Sequence, residues 1–250
     1  MPVIVLGVVL LAWQIASVPA ETYILPDPAS VYQALIDNWA ILGPAAWITI
    51  KLTLLALVFA ILIGGGLALL MAQSRWVEKA IYPYAVILQV TPIIAIAPMI
   101  LIWVPDTPTA LTILAFIVAF FPILSNTIQG LKSADHNLLN LFDLYGAGRW
   151  KTLRRLQIPT AMPYFLTGVR IAGGLALIGA VVAEFAAGAA GRSSGLAYRI
   201  FEAQFELNTP LMFAALLLLA TTGIVIFIVT GLVAYFLTRR WHESTAAREN

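Results

Sequence analysis

The chain has no cysteine among its 250 residues. It therefore forms neither disulfides nor a thiolate metal site, and cysteine usage leaves its redox compartment unmarked. Only two histidines occur, His136 and His242, both in hydrophilic loops. An HExxH pair or a metal cluster inside an apolar segment is thus excluded, and no metal is expected on the chain. No Gly-x4-Gly-Lys-Ser/Thr run is present, so the chain binds no nucleotide through a P-loop. Gly64-Gly65-Gly66 lies within an apolar run and cradles no phosphate. Charged residues make up 10% of the chain, against about 25% in soluble domains. There is no Ser/His/Asp arrangement, internal repeat or low-complexity linker. The hydrophilic stretches are too short to fold a nucleotide-binding domain, which needs a core of its own. No catalytic residue is expected.

Apolar length fills the space these absences leave. Hydrophobic residues reach 61%, and about 20 consecutive apolar residues suffice to cross a hydrocarbon core of roughly 30 Å. The runs predict six transmembrane helices, at about 3–19, 46–72, 80–104, 108–129, 164–187 and 210–237. The expected class is an all-α membrane protein with residues 1–250 forming a single transmembrane domain. The segment Ser17-Val18-Pro19-Ala20 loosely resembles a signal-peptidase site. No Lys or Arg precedes it, whereas a signal peptide wants a basic start, so a retained first helix is expected.

The formal charge of +2 comes from 14 Lys and Arg against 12 Asp and Glu. These cations flank the spans, where they set orientation, and no nucleic-acid partner is expected. Arg75 and Lys79 follow span two, five cations occupy the loop between spans four and five, and the tail holds Arg239, Arg240 and Arg248. These regions face the cytoplasm by the positive-inside rule. The opposite side carries Glu21, Asp27, Asp37 and Asp106, with Lys51, Arg192 and Arg199 as its cations. Both termini are therefore expected in the cytoplasm.

Along the chain, 28–39 reads either as a short amphipathic helix at the outer surface or as a connector. Gly64-Gly65-Gly66 permits close helix packing or a hinge. Pro92 and Pro98 are each expected to bend span three. Such a break is tolerated in lipid where protein or a water-filled cavity re-satisfies the freed carbonyls. Gln89, Thr91 and Pro92 are thus candidates for lining a solute path, against a plain kink. Ser125 and Asn126 in span four are uncharged hydrogen bonders that either join helices or touch a polar solute. Glu184, the one clear acid within an apolar run, lies about 30 Å along the helix from Pro163. It is a further path candidate, expected to cap the outer mouth or pair locally rather than to relay protons. Arg170 sits near the inner end of the same helix and is expected to snorkel toward the headgroups.

The most informative stretch is the loop 132–160. Lys132, Arg149, Lys151, Arg154 and Arg155 lie in it, among apolar residues at helical spacing: Leu138, Leu141, Phe142, Tyr145, Trp150, Leu153 and Leu156. An exposed stripe of this kind calls for a partner or the membrane surface. Gly146 and Gly148 permit a sharp turn between two short helices. Pro159 and Pro163 are expected to end the second helix and start the next span.

Gly146 is followed by Leu156, Ile158 and Pro159 at offsets of ten, twelve and thirteen. This pattern resembles the cytoplasmic loop signature of ABC-importer permeases, which reads Glu-Ala-Ala, three residues, Gly, nine residues, Ile-x-Leu-Pro. The half from Gly to Pro fits, whereas Asn140, Leu141 and Phe142 stand where the acid and alanines are usual. The runs 25–32, 91–98 and Ala183-Glu184-Phe185 are similar to permeases of the nitrate/sulfonate/taurine importer group. The resemblance implies a type I importer permease in the bacterial cytoplasmic membrane, usually a homodimer. Two ABC ATPase subunits would hold ATP and Mg and grip the loop through Leu141, Phe142, Tyr145, Gly146, Arg149, Trp150, Leu153, Leu156, Ile158 and Pro159. A periplasmic or lipid-anchored solute-binding protein would deliver a small polar solute: a sulfonate, taurine, nitrate or a pyrimidine vitamin precursor. The alternative is an ion-coupled secondary transporter, which usually shows buried acids on several helices.

Overall fold

The computed structural model describes residues 2–18, 24–188 and 195–238, and among these every regular element is helical. In chain order the elements are α1 (Pro2–Ser17), α2 (Pro28–Asp37), α3 (Trp39–Gln73), α4 (Arg75–Val90), α5 (Ile93–Trp103) and α6 (Thr107–Lys132). Then come α7 (His136–Leu144), α8 (Arg149–Thr152), a π-helical turn (Leu153–Gln157), α9 (Ile158–Ala187), α10 (Leu196–Phe205) and α11 (Thr209–Thr238). The cations Arg192, Arg239, Arg240 and Arg248, Glu21, His242 and part of the Ser17–Ala20 stretch lie outside the described residues.

Four segments are long and apolar enough to cross a membrane: α3, α6, the continuous run from α8 through α9, and α11. A fifth crossing arises if α4 and α5 count as one broken span. α1 has 16 residues, about 24 Å at the helical rise, short of a roughly 30 Å core.

The expectation of two bends in the span at 80–104 is corrected: a single break at Thr91–Pro92 turns α5 by 104° from α4. Proline disfavours the helical region for the residue before it. Thr91 accordingly sits at ψ 123°, and Pro92 continues extended at ψ 116°. Pro98, by contrast, lies inside α5 without ending it. A second correction concerns Pro159: α8 does not stop there but runs on into α9. Pro159 has no N–H for the Arg155 carbonyl and its ring crowds that group. The preceding turn widens instead, with the Ile158 N–H donating to the Leu153 carbonyl, a π-bulge of the kind that accommodates such a misfit.

α6 and α9 form the centre and run antiparallel. Small residues let their backbones approach. A Cβ on Gly130 would lie 2.7 Å from the Tyr164 Cβ, one on Gly168 would lie 2.9 Å from the Pro122 carbonyl oxygen, and one on Gly179 would lie 2.9 Å from the Ala115 Cα. α3 packs beside this pair through Leu52, Ala56 and Ala60, meeting Leu114, Ala119, Ala172 and Ala176 in a core rich in alanine. Gly64 joins α3 to α6, since a Cβ there would lie 3.2 Å from the Phe120 carbonyl. Gly130→Ala is expected to destabilise the protein by about 1–3 kcal/mol through overpacking. A lowered thermal midpoint in detergent checks this; an unchanged one contradicts the seam.

A second core closes the end of the bundle that carries the loop 132–160, where Met71, Leu131, Leu153 and Ala161 meet. A third closes the opposite end, bringing Val31, Leu42, Leu196 and Ala214 together. The stretch after Asp27 is a helix, because Asp27 accepts from the Ala29 and Ser30 amides and Pro28 fits the first turn. Asp106 caps α6 through Thr109 in the same way. Hydrogen bonds from Ser30 hold the Asp27 carboxyl below its ordinary range, and those from Thr109 do the same for Asp106. α1 leans on this layer through Trp13, whose indole N–H donates to the Pro26 carbonyl at 3.0 Å.

Candidate functional site

The basic loop folds as two helices at an angle fixed by one glycine. Asp135 caps α7 by accepting from the Asn137 amide at 2.7 Å. At the other end Gly146 adopts φ +66°, and the Ala147 N–H donates to the Phe142 carbonyl at 2.9 Å. This is a Schellman closure, whose left-handed residue is normally glycine. α8 then starts at Arg149.

The apolar stripe read from the sequence divides into two sets. Leu141, Tyr145 and Trp150 are exposed at 44%, 83% and 69%, and Phe142 is half-buried. Leu153 and Leu156 are buried in the protein's own interior, where Leu153 packs in the second core beside Met71 and Leu131. Ile158 and Pro159 are half-buried in the first turn of α9. Arg149, Lys151, Arg154 and Arg155 are all exposed around this surface. Leu144, 85% exposed, was missed although it sits three residues after Leu141. Its helical spacing was the available signal. An ion pair between Lys132 and Glu78 ties the loop's start to α4. The loop is thus braced on one side and presents an apolar surface ringed by cations on the other.

The polar candidates within the spans do not gather in one place. Gln89 and Thr91 line a cavity of about 380 Å³ at the break between α4 and α5, closed by Ile117, Val118 and Pro122 of α6 and by Leu175, Ile178 and Val182 of α9. Pro92 stands exposed at the break itself. Asn126 turns to its own helix, its amide donating to the Pro122 carbonyl at 2.8 Å, while Ser125 is half-buried beside it. Neither lines this cavity.

Glu184 is 2% exposed and lies on the opposite face of α9 from Leu175, Ile178 and Val182, by the 100° advance per residue. The Thr49 hydroxyl donates to its Oε1 at 2.8 Å, and the Ala197 N–H donates to its Oε2 at 2.9 Å. Thr49 Oγ1 in turn accepts from the Leu196 N–H at 2.9 Å. Thr49 and Glu184 supply the cap that Gly195, at the N-cap position of α10 and without a side chain, cannot give. A Cβ on Gly195 would overlap the Glu184 carboxyl and the Thr49 hydroxyl. Thr49 and Gly195 carried no visible signal of this role in the sequence.

The profile of the binding-protein-dependent transport system inner membrane component family matches residues 60–243. The chain belongs to this family. It is an ABC-importer permease, a multi-pass inner-membrane protein of a group that works with an ATPase and a substrate-binding protein.

Similar proteins include a probable ABC transporter permease of Haemophilus influenzae, 31% identical over 90% of this chain and 91% of that protein. A formylaminopyrimidine transport permease of Halalkalibacterium halodurans is 32% identical over 90% of each. A riboflavin transport system permease of Chloroflexus aurantiacus is 36% identical over 69% of this chain and 63% of that protein. A crystal structure of an amino acid ABC transporter with histidines shares the fold, with a TM-score of 0.65 over 83% of this chain and 97% of that one, at 18% identity.

Proposed function

We propose that this permease works as a type I importer-like pair of identical copies, each a single domain crossing the membrane six times with both termini cytoplasmic. α1 supplies the first crossing and the bent α4–α5 pair the third. Two ATPase subunits hold ATP and Mg and dock on the exposed residues of the loop, namely Leu141, Leu144, Tyr145, Arg149 and Trp150. Gly146 sets the angle of that surface, and Leu153, Leu156, Ile158 and Pro159 root it in the membrane domain. A binding protein, periplasmic or lipid-anchored, delivers the solute. The path runs past Gln89, Thr91 and Pro92, with Ser125 and Asn126 stiffening α6 beside it.

The observation that carries this reading is the division of the loop stripe. A surface that leaves tyrosine, tryptophan and leucine exposed together marks an interaction site, while its base is locked into the core. Closure of the ATPase pair would then move the loop and the membrane domain as one body between discrete states.

The chain itself supplies no driving free energy. Glu184 is the one carboxylate buried among the described residues, and it caps a helix, which leaves an ion-coupled secondary carrier without a relay. In vesicles, import is expected only with the ATPase and binding protein present and ATP inside the compartment that holds the ATPase. It is expected to vanish when the ATPase carries a P-loop lysine-to-alanine change. Solute accumulation by the permease alone under a proton or sodium gradient would establish the secondary carrier instead.

A further inference from the structure

We propose that an acidic phospholipid binds this permease where α3, α4 and α6 meet, with its phosphate held by Arg75 and Lys79 and its tails against the exposed apolar face of α4. The proposal rests on α3 and α6 crossing the membrane. It is independent of the docking and path readings above.

A cavity of about 750 Å³ carries it, walled by the last turns of α3 and α6, the start of α7 and one face of α4. Arg75, Lys79, Lys132 and His136 open into it, and Glu78 is the one acid in its walls. Glu78 pairs with Lys132. Arg75 and Lys79 are exposed and have no bonded partner among the described residues. Of the carboxylates on the adjoining loop, Asp135 caps α7 and Asp143 lines a separate recess with Arg149. Two cations four residues apart on one helix thus face the cavity uncompensated, at the spacing that puts both on one side of α4.

Its place in the fold selects the anion. α3 and α6 are both long and apolar enough to cross a membrane, and the cavity adjoins their final turns. The end of a spanning helix lies at the level of the lipid headgroups. α4 bears the mark of the same level. Beside its cationic face it turns a second stripe outward, in which Trp76, Tyr84 and Ile87 are exposed and follow the helical repeat. Trp76, at 86% exposure, adjoins Arg75. Aromatic and aliphatic side chains beside cations make a helix that lies in the membrane interface. A soluble anion would use the cations and leave that apolar stripe in water, whereas a phospholipid satisfies both. Basic pockets between membrane helices are where acidic headgroups bind. An occupied site would tie α4 to the corner between α6 and α7, adding to the Lys132–Glu78 ion pair that braces the loop.

The test uses photoreactive phosphatidylglycerol and photoreactive phosphatidylcholine, each diluted in phosphatidylcholine vesicles that hold the full-length permease alone or the complete importer. Phosphatidylglycerol is expected to label the permease in preference to phosphatidylcholine in both, with the label mapping to α4 and the α6–α7 corner. Each cation near an acidic surface gives about fivefold in binding, the equivalent of about 1 kcal/mol. Arg75→Gln with Lys79→Gln should therefore lower phosphatidylglycerol labelling roughly twenty-five-fold. Lys151→Gln with Arg155→Gln removes the same charge from the loop and should leave labelling unchanged. An equal loss in both double variants would mean diffuse attraction and overturns the proposal, as does a label without headgroup preference or one that maps elsewhere. Displacement of the label by inorganic phosphate, at an ionic strength matched with sodium chloride, would give the cations to a soluble anion. Loss of the label when the ATPase is added would give them to that subunit. Either result overturns the lipid site. The map on the unaltered protein decides the question even where a double variant fails to insert.

Discussion

Glu184→Ala is expected to destabilise the protein by about 3–5 kcal/mol and to loosen the packing of α10 on α3 and α9. The side chain is 2% exposed, so its loss opens a cavity as well as breaking bonds. The Ala197 N–H and the Thr49 hydroxyl would both lose their acceptor. Each buried polar group left unpaired costs roughly 1–3 kcal/mol. Glu184→Gln keeps an acceptor oxygen but cannot serve both donors as two oxygens do, so it should fall between the wild type and the alanine variant. Gly195→Ala should resemble Glu184→Ala, because the added methyl overlaps the same carboxyl. Thermal unfolding in detergent measures all three, with hydrogen exchange at Leu196 and Ala197 reporting on the cap. An alanine variant as stable as the wild type, with those amides still protected, would remove the proposed cap.

This contact shows where sequence reading stops. Glu184 stood out as the single acid in an apolar run, and its place near the far end of α9 followed from the helical rise. Its partners could not be read, since Thr49 lies 135 residues away and Gly195 has no side chain to advertise. Four of the expected spans were legible because a roughly 30 Å core demands long apolar runs whatever their packing. The 104° break was legible only as a disturbance: Pro92 and Pro98 looked alike, and the backbone bent at the one that follows Thr91. The α6/α9 seam was missed because Gly130, Gly168 and Gly179 are scattered across two helices, while the adjacent glycines 64–66 drew attention. Of those three, only Gly64 has a neighbour closer than 3.5 Å to a built Cβ. In the loop, periodicity found the stripe but could not tell which half would face water. That division depends on where α9 begins, and the π turn moves the answer to the middle of the stripe.

The division makes the last expected result specific. Tyr145→Glu together with Trp150→Glu should abolish ATPase co-purification and import, while the permease still inserts and unfolds at the wild-type temperature. Both side chains stand in water, at 83% and 69% exposure, so the charges disturb nothing within the chain. At a docked surface each would bury a carboxylate against apolar groups, and large central aromatics are where binding energy concentrates. A loss of more than a hundredfold in ATPase affinity is expected, taking about 2 kcal/mol or more for each side chain. Leu153→Ala should behave in the opposite way. At 1% exposure it removes core packing, with a cost of about 2–5 kcal/mol to the permease itself. Gly146→Val gives a third pattern. No atom lies within 4 Å of a Cβ built there, so the only penalty is the φ of +66°. A β-branched residue resists that conformation, so the two helices should re-angle, with ATP hydrolysis persisting while import falls. If the double glutamate variant still binds its ATPase normally, the exposed aromatics are not the docking surface. The role would then pass to the basic residues around them.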